Sequence, residues 1–586
     1  MEKATHPDSL SSTPEDKSYP SLIVCASATP TILVAEEGVV VKSLEDVREP
    51  CLDPRVNLSK HDRPSEEDLD QGLTRQLSNL IMDSKSSSHS LEFAPGDMRN
   101  PANFTRRRKW AITAIACFFT MLICEDFPFE LTSCGTLAHT RRLASAASAY
   151  NMGFPSMTKE LQITNLEATA GLSLYAFGFG IVPLVTASLS EEFGRLPLYY
   201  VSTTMFAAMY IGIALAQNLP TLLVCRFIQG SFGSTGATMV GGTIADIWSA
   251  KERGLPMSAF SLSAIGGASL GPVFSGWVEM NPRLQWRWIQ WIQLIICGCY
   301  LVILPFVLKE TRSSILLTKI AKKLRKETGD NIYRARVEDE RAKLSTLIWI
   351  SCTRPIYLMF TEPVVLSFSL WIGFAWGIFF CMIERIYHNV RSIAVVFTTL
   401  HDFNMGQVGT VFVTMVIGCF LGLCSNTIQE AYYQKHFKRR GPEARLYLAC
   451  YAAFILPIGM FIYAWCSFSK VHWISLAIAI VVFHWALFII YLSVFSYLAD
   501  CYGPFASSAL AGQSLARNLA GTAFPLFTQQ MYRNLTFKWA NTLFGCIAAL
   551  MIPIPFVLFL YGPSIRSRSR FSRAVMEAEG SSGKTL

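Results

Sequence analysis

The chain is short of charge. Asp, Glu, Lys and Arg make up 16% of its 586 residues, against about a quarter in soluble domains. Apolar types reach 51%. That is too apolar for a soluble protein of this size, and the chain is too long for one ordinary core. Paired cysteine motifs are missing. The 16 Cys are scattered, with no Cys-x-x-Cys and no Cys/His ligand spacing, so a secreted disulfide scaffold is excluded and no metal site is expected. A secretory leader is missing too: the apolar patch Leu22–Ala28 is too short and has the wrong flanks. No Gly-x-x-x-x-Gly-Lys-Ser/Thr loop is present, which argues against direct ATP drive. No His-Glu-x-x-His set sits near an apolar run, and no enzyme is expected. No apolar run carries a row of Arg like a voltage sensor, and no carbonyl-filter motif occurs. A polytopic membrane protein remains.

What charge there is lies unevenly. The formal net charge is +9, yet residues 1–100 hold 18 acidic and 10 basic side chains. The remainder is therefore strongly basic. Its basic residues cluster between apolar runs, at Arg106–Lys109, Lys319–Lys326, Lys435–Arg440 and Arg566–Arg573. That is the positive-inside pattern of membrane topology, and no nucleic-acid partner is expected.

About 20 apolar residues cross a bilayer as helix. After a first span beginning at Trp110, candidates fall at about 168–189, 198–217, 221–245, 255–278 and 288–308. The stretch 309–354 is polar, with 12 basic and 6 acidic residues. Six more candidates follow, at about 363–384, 407–427, 446–466, 473–499, 508–530 and 539–561. The expected fold is an all-α membrane protein of twelve transmembrane helices in two six-helix bundles, with a solute site between them near the midplane. The domains expected are a disordered tail (1–105), a first bundle (106–308), a central loop (309–354), a second bundle (355–562) and a C-terminal tail (563–586). An even span count with basic flanks places both termini in the cytoplasm.

The first span is broken. Trp110–Cys124 is too short to cross, and Glu125, Asp126, Glu130, His139, Arg141 and Arg142 follow it before a second apolar run, Ala144–Phe154. Joined directly, the two runs make one comfortable span. Residues 125–143 read either as retained intervening sequence or as a true interfacial loop, which is costly where lipid-facing. A weaker interruption covers Arg385–Ile393.

Several motifs lie at the span ends. Leu189-Ser190-Glu191-Glu192-Phe193-Gly194-Arg195 joins spans 2 and 3. Its Gly permits positive φ, and its acid and Arg can pair with each other or with a helix end. Span 4 opens Arg226-Phe227-Ile228-Gln229-Gly230, and an Arg inside a span is a functional candidate by default. Asp246-Ile247-Trp248 and Glu252-Arg253-Gly254 follow that span. Span 5 carries Gly266, Gly267, Gly271-Pro272 and Gly276, a smooth and kinked face.

With these motifs the chain resembles the major facilitator superfamily, most closely its fungal branch of twelve-span drug:proton antiporters, which includes multidrug, polyamine and secondary-metabolite exporters. The resemblance runs from Asn100-Pro101-Ala102-Asn103-Phe104 to Tyr561-Gly562. It takes in Trp286-Arg287-Trp288, Glu310-Thr311-Arg312, Arg354-Pro355, Glu362-Pro363, Pro442-Glu443-Ala444-Arg445-Leu446, Tyr497-Leu498-Ala499-Asp500 and Phe524-Pro525-Leu526-Phe527. It implies that Glu191, Gly194 and Arg195 belong to a cytoplasmic latch between the halves. It implies that Arg226 serves proton coupling, and that Gly267, Gly271, Pro272 and Gly276 form an antiporter motif. Three departures stand out: Ser188 in place of Pro, Leu196 in place of a basic residue, and Phe104 in place of Trp.

Other residues are candidates on chemistry. Asp500 and Arg517 flank the start of span 11 and are expected at the cytoplasmic gate. Glu384 is a candidate proton carrier. His484 is either a titrating group or a packed, hydrogen-bonded one. Tyr150, Asn151, Tyr175, Trp376 and Tyr491 suit a cavity for amphipathic or cationic solutes, though each alone also fits a core or an interfacial belt. The sequon Asn534-Leu535-Thr536 is expected on the outer side, too close to the membrane for glycosylation. The function expected is proton-driven export of a small organic molecule by a plasma-membrane monomer, with no cofactor beyond the proton gradient. A nutrient–proton symporter and a non-transporting sensor are the alternatives, and the Gly-Pro motif weighs against the symporter.

Overall fold

The computed structural model describes residues 24–25, 89–91, 93, 97–124, 147–249, 252–329, 333–335, 338, 344–383, 397, 401–468, 470–573 and 575–576. The chain divides into two compact units. One comprises residues 1–100 and 314–341. It holds three short strands: β1 (Val24–Cys25) runs antiparallel to β2 (His89–Leu91), which runs parallel to β3 (Tyr333–Ala335). Most of helix α9 (Ser313–Thr328) belongs to it. Arg325 forks onto both oxygens of Glu338 at 2.9 Å, and this ion pair holds the Glu338 carboxyl below the usual range. Most of the expected tail, 1–105, falls outside the described residues.

The other unit, 101–313 and 342–586, is helical. Its first half contains α1 (Arg106–Cys124), α2 (Ala147–Met152), α3 (Phe154–Leu161), α4 (Asn165–Phe193), α5 (Arg195–Ala214), α6 (Leu219–Ile247), α7 (Gly254–Glu279) and α8 (Gln285–Val307). Starts are set by local chemistry. Thr164 and Glu167 form a reciprocal capping box on α4, and the Asn218 side chain accepts from Thr221 N at 3.0 Å on α6. Backbones approach closely where side chains are small. A Cβ on Gly230 of α6 would overlap the Tyr175 carbonyl oxygen of α4, so only glycine fits there.

The second half contains α10 (Leu344–Thr361), α11 (Pro363–Ile383), α12 (Met405–Val411), α13 (Val413–Arg440), α14 (Tyr447–Trp465), α15 (Trp473–Tyr502), α16 (Ala506–Leu550) and α17 (Pro553–Arg568). Three boundaries differ from expectation. The central loop carries α9 and much of α10. Span 8 runs on to Arg440, where its charged end can reach water. Spans 11 and 12 share one helix broken at Thr536 (φ 63°), with no long loop between them.

Eight stretches among the described residues are long and apolar enough to cross a membrane. One of them, Gly406–Trp465, holds two passes, α12–α13 and α14. The passes outside this set are the interrupted first span, α6, and α16 before Thr536. The core of the second half gathers around Phe368, Trp371, Tyr497 and Leu487. In the first half it lies around Phe119, Tyr199, Phe206 and Tyr300. Large apolar side chains such as Phe306 and Leu550 are 80% exposed, as lipid-facing residues must be.

Candidate functional site

Arg226 lies about two turns inside α6 and is fully buried. Its Nη1 donates to Gln229 Oε1 at 2.9 Å. The guanidinium carbon stands 4.1 Å from the ring centre of Tyr150 and 4.7 Å from that of Tyr175. Each ring is fixed by its hydroxyl: Tyr150 donates to Ala168 O at 3.2 Å and Tyr175 to Ile123 O at 2.9 Å. Asn151, the next residue after Tyr150, is fully buried with both side-chain polar atoms unpartnered. The structure thus brings together Tyr150, Asn151, Tyr175 and Arg226 from three elements. A buried Arg keeps its proton, so its chemical use is electrostatic: it holds an acid or an anionic solute.

At the end of the first half where α4 meets α5, the connecting loop is built on a glycine. Gly194 has φ +93°, and a Cβ there would stand 2.5 Å from Glu310 Oε2. Glu310 accepts from the backbone N of Arg195, Leu196, Thr311 and Arg312 at 3.0–3.2 Å. Arg195 Nε donates to Asp246 Oδ2 at 2.6 Å, and Arg312 stands 3.7 Å from the other oxygen. These partners all belong to the first half. Among the described residues, Arg195 ties α5, α6 and the end of α8 together. The Glu191 side chain lies outside the described residues.

The second half repeats the arrangement. Arg445, in the turn after α13, donates through Nε to Asp500 Oδ2 at 3.0 Å and through Nη1 to Glu430 Oε2 at 2.8 Å. Its guanidinium covers the Tyr433 ring at 3.4 Å, and the Tyr433 hydroxyl donates to the same Asp500 oxygen. Glu443 takes both arms of Arg566, at 2.9 and 3.0 Å. Glu362 accepts from the hydroxyls of Tyr502 and Ser569.

The seam between the halves runs elsewhere. Asn426 Nδ2 donates to Ser258 Oγ at 2.7 Å, and a Cβ on Gly254 would stand 2.9 Å from Glu430 Oε2. Arg253, whose Nη2 donates to Ala245 O and Trp248 O, feels the charges of both Asp246 and Asp500. Near the other end of α7, Trp277 Nε1 donates to Thr410 Oγ1 at 3.4 Å, and a Cβ on Gly409 would overlap the Pro272 carbonyl oxygen. The buried Gly267, Gly271, Pro272 and Gly276 therefore lie on the helix that packs on α12 and α13.

Asp500 sits in the charge network of the second half. Arg517 lies apart from it. It is buried, with its guanidinium carbon 4.7 Å from the Trp376 ring centre and 5.2 Å from that of Tyr491, and its Nη2 donates to Ser514 Oγ at 3.2 Å. No carboxylate among the described residues pairs with it, and a buried charge without one costs several kcal/mol, so this placement calls for an explanation beyond gating. His484 is fully buried among Phe379 and Phe483, its Nδ1 2.9 Å from Ile480 O. That matches the packed alternative. Glu384 lies outside the described residues. Arg445, Glu430, Arg253 and Arg566 escaped the reading of residue types. The three arginines sit in quoted or basic stretches, but which carboxylate each meets depends on tertiary packing.

A family model described as Major Facilitator Superfamily matches residues 143–503, starting where the interruption of the first span ends. The chain is 33% identical over 488 residues to an MFS-type efflux pump of Trichophyton rubrum, covering 82% of this chain and 77% of that one. It is 31% identical to a multidrug transporter of Aspergillus fumigatus over 86% and 80% of the two chains. It is 30% identical to an ascochitine biosynthesis cluster transporter of Didymella fabae over 88% and 99%. Among solved structures, a D-xylose–proton symporter (TM-score 0.52, 15% identity, 76% of this chain and 97% of that one) and the E. coli xylose transporter XylE (0.51, 14%, 78% and 98%) share the fold. With the family model spanning more than half of its length and relatives of 30% identity or more along most of it, the chain belongs to the Major Facilitator Superfamily of membrane transporters.

Proposed function

We propose that the protein exports a small organic molecule by exchange with protons, its two halves rocking about a midplane site to expose it alternately to each side. The observation that carries the reading is the caged Arg226: a permanent cation buried inside a span between the rings of Tyr150 and Tyr175. The names of the relatives support export, since they are an efflux pump, a multidrug transporter and a biosynthesis-cluster transporter. In this reading the inter-half gate at the cytoplasmic side is made by Arg253, Ser258, Asn426 and Glu430. Arg195 and Arg445 then brace each half internally. The chain acts as a monomer in the plasma membrane. The tail 1–105, the loop 309–354 and the tail 563–586 face the cytoplasm, where the basic flanks belong.

The test has two steps. A strain lacking the gene is compared with its parent, and the solute retained in the mutant cells is identified. That solute is then loaded into proteoliposomes carrying the purified chain, and a pH difference is imposed. Arg226→Ala is expected to insert normally and lose pH-driven transport. Full transport by that variant would sink the coupling role.

A further inference from the structure

Arg517 is the buried cation that the charge networks leave out. It lies on α16, where Asn518 abuts Gly180 of α4, so it sits at the seam between the halves. No carboxylate among the described residues pairs with it, and its Nε is buried without an acceptor. The Trp376 Nε1 above it is likewise buried without an acceptor. Both groups can only donate. The guanidinium carbon lies 4.7 Å from the Trp376 ring centre, and two neighbouring donor-only groups, one permanently charged, suit an acidic group as acceptor. The rings beside them add a shape. Trp376 and Tyr491 are near parallel at 5.8 Å, Tyr491 and Phe495 near parallel at 5.6 Å, and Phe495 meets Phe260 of the other half edge-on at 6.3 Å. The run of aromatic surface thus crosses the seam. The buried acids Glu310, Glu362 and Glu443 all serve the networks already described, so none of them is available to a cationic solute here.

We infer that Arg517 and Trp376 bind the acidic group of the transported solute, and that the solute is an organic anion with a flat aromatic body. This rests on the export reading for the word "transported"; the anion site itself does not. Of the amphipathic or cationic solutes expected, it favours an amphipathic one that carries negative charge.

The test uses the purified full-length chain, with 2-naphthoate, its neutral amide and 2-naphthylmethylammonium as matched probes. Wild type is expected to bind 2-naphthoate about tenfold more tightly than either other probe, the scale of one charge-assisted hydrogen bond. Arg517→Gln is expected to lose that preference, and Arg517→Lys to keep part of it. Trp376→Phe keeps ring surface and removes the N–H, so it is expected to weaken naphthoate binding roughly threefold while sparing the amide. Equal binding of the three probes by wild type overturns the site, as does an Arg517→Gln variant that keeps the preference. Should Arg517→Gln fail to fold, Trp376→Phe decides: unchanged naphthoate binding overturns the site. Flux separates the two readings. Selective binding without pH-driven flux of naphthoate refutes export and leaves the anion site standing. Export of the cation as fast as naphthoate, unaltered by Arg517→Gln, refutes the site and leaves export standing.

Discussion

Arg195 and Arg445 hold matching places in the two halves. Each follows the second span of its half, and each pairs with a carboxylate at the end of the fourth, Asp246 and Asp500 respectively. The repeat explains why the motifs were legible as motifs: a glycine, an Arg and an acid at span ends are chemistry that sequence spacing displays. Their partners were not legible, because Asp246 and Glu310 reach Arg195 only when three helices pack. Two outcomes follow at this scale. Gly194→Ala forces a Cβ into the left-handed region and onto Glu310, so it should lower stability by about 1–2 kcal/mol, measured as a fall in thermal midpoint of the purified chain. An unchanged midpoint would show that the loop relaxes freely. Arg445→Gln and Asp500→Asn should be non-additive, with a coupling of about 0.5–3 kcal/mol in a double-mutant cycle on denaturant unfolding. Additivity would remove Asp500 from the network.

Among elements, apolar length revealed most spans, and the passes it reveals least clearly carry the chemistry. α6 holds Arg226 and Gln229; α16 holds Gln513, Arg517 and Asn518, all buried. Polar groups that line an interior site dilute the signal that marks a helix as membrane-spanning. The placement of Arg517 shows the limit of reading along the chain. Its position near the start of span 11 suggests a gate, yet its side chain rises into an aromatic cage that only the packing of α11, α15 and α16 creates. The seam helix α7 makes a further outcome testable. Its Pro272 carbonyl leaves no room for a side chain on Gly409. Gly409→Leu should therefore part α12 from α7. Replacing Gly271 and Pro272 together should roughen the same face from the other side. Both changes are expected to raise proton leak and reduce directional transport in proteoliposomes, read with a pH-sensitive dye. Normal flux with no added leak would mean that the smooth face serves packing alone.

At the scale of the molecule, the interrupted first span is the feature that the rest of the fold argues against. α1 and α2 both pack on α7. The end of α1 offers Ile123 O to Tyr175, and α2 offers Tyr150; both tyrosines flank the one guanidinium of Arg226. The described residues on either side of the interruption thus meet around the same side chain. Without residues 125–143, Ile123 and Tyr150 would stand roughly eight residues apart, about 12 Å of continuous helix, which suits two groups that meet around one buried side chain. The segment itself lies outside the described residues, as does the weaker interruption at Arg385–Ile393. A chain deleted for 125–143 is expected to insert as well as the full chain, to unfold at an equal or higher temperature, and to transport the same solute. Sequencing the mature transcript gives an independent check, with these codons expected to be absent. A deleted chain that inserts but no longer transports, beside an uninterrupted message encoding the segment, would make residues 125–143 a working part of the protein and place a polar loop beside the Arg226 cradle by design.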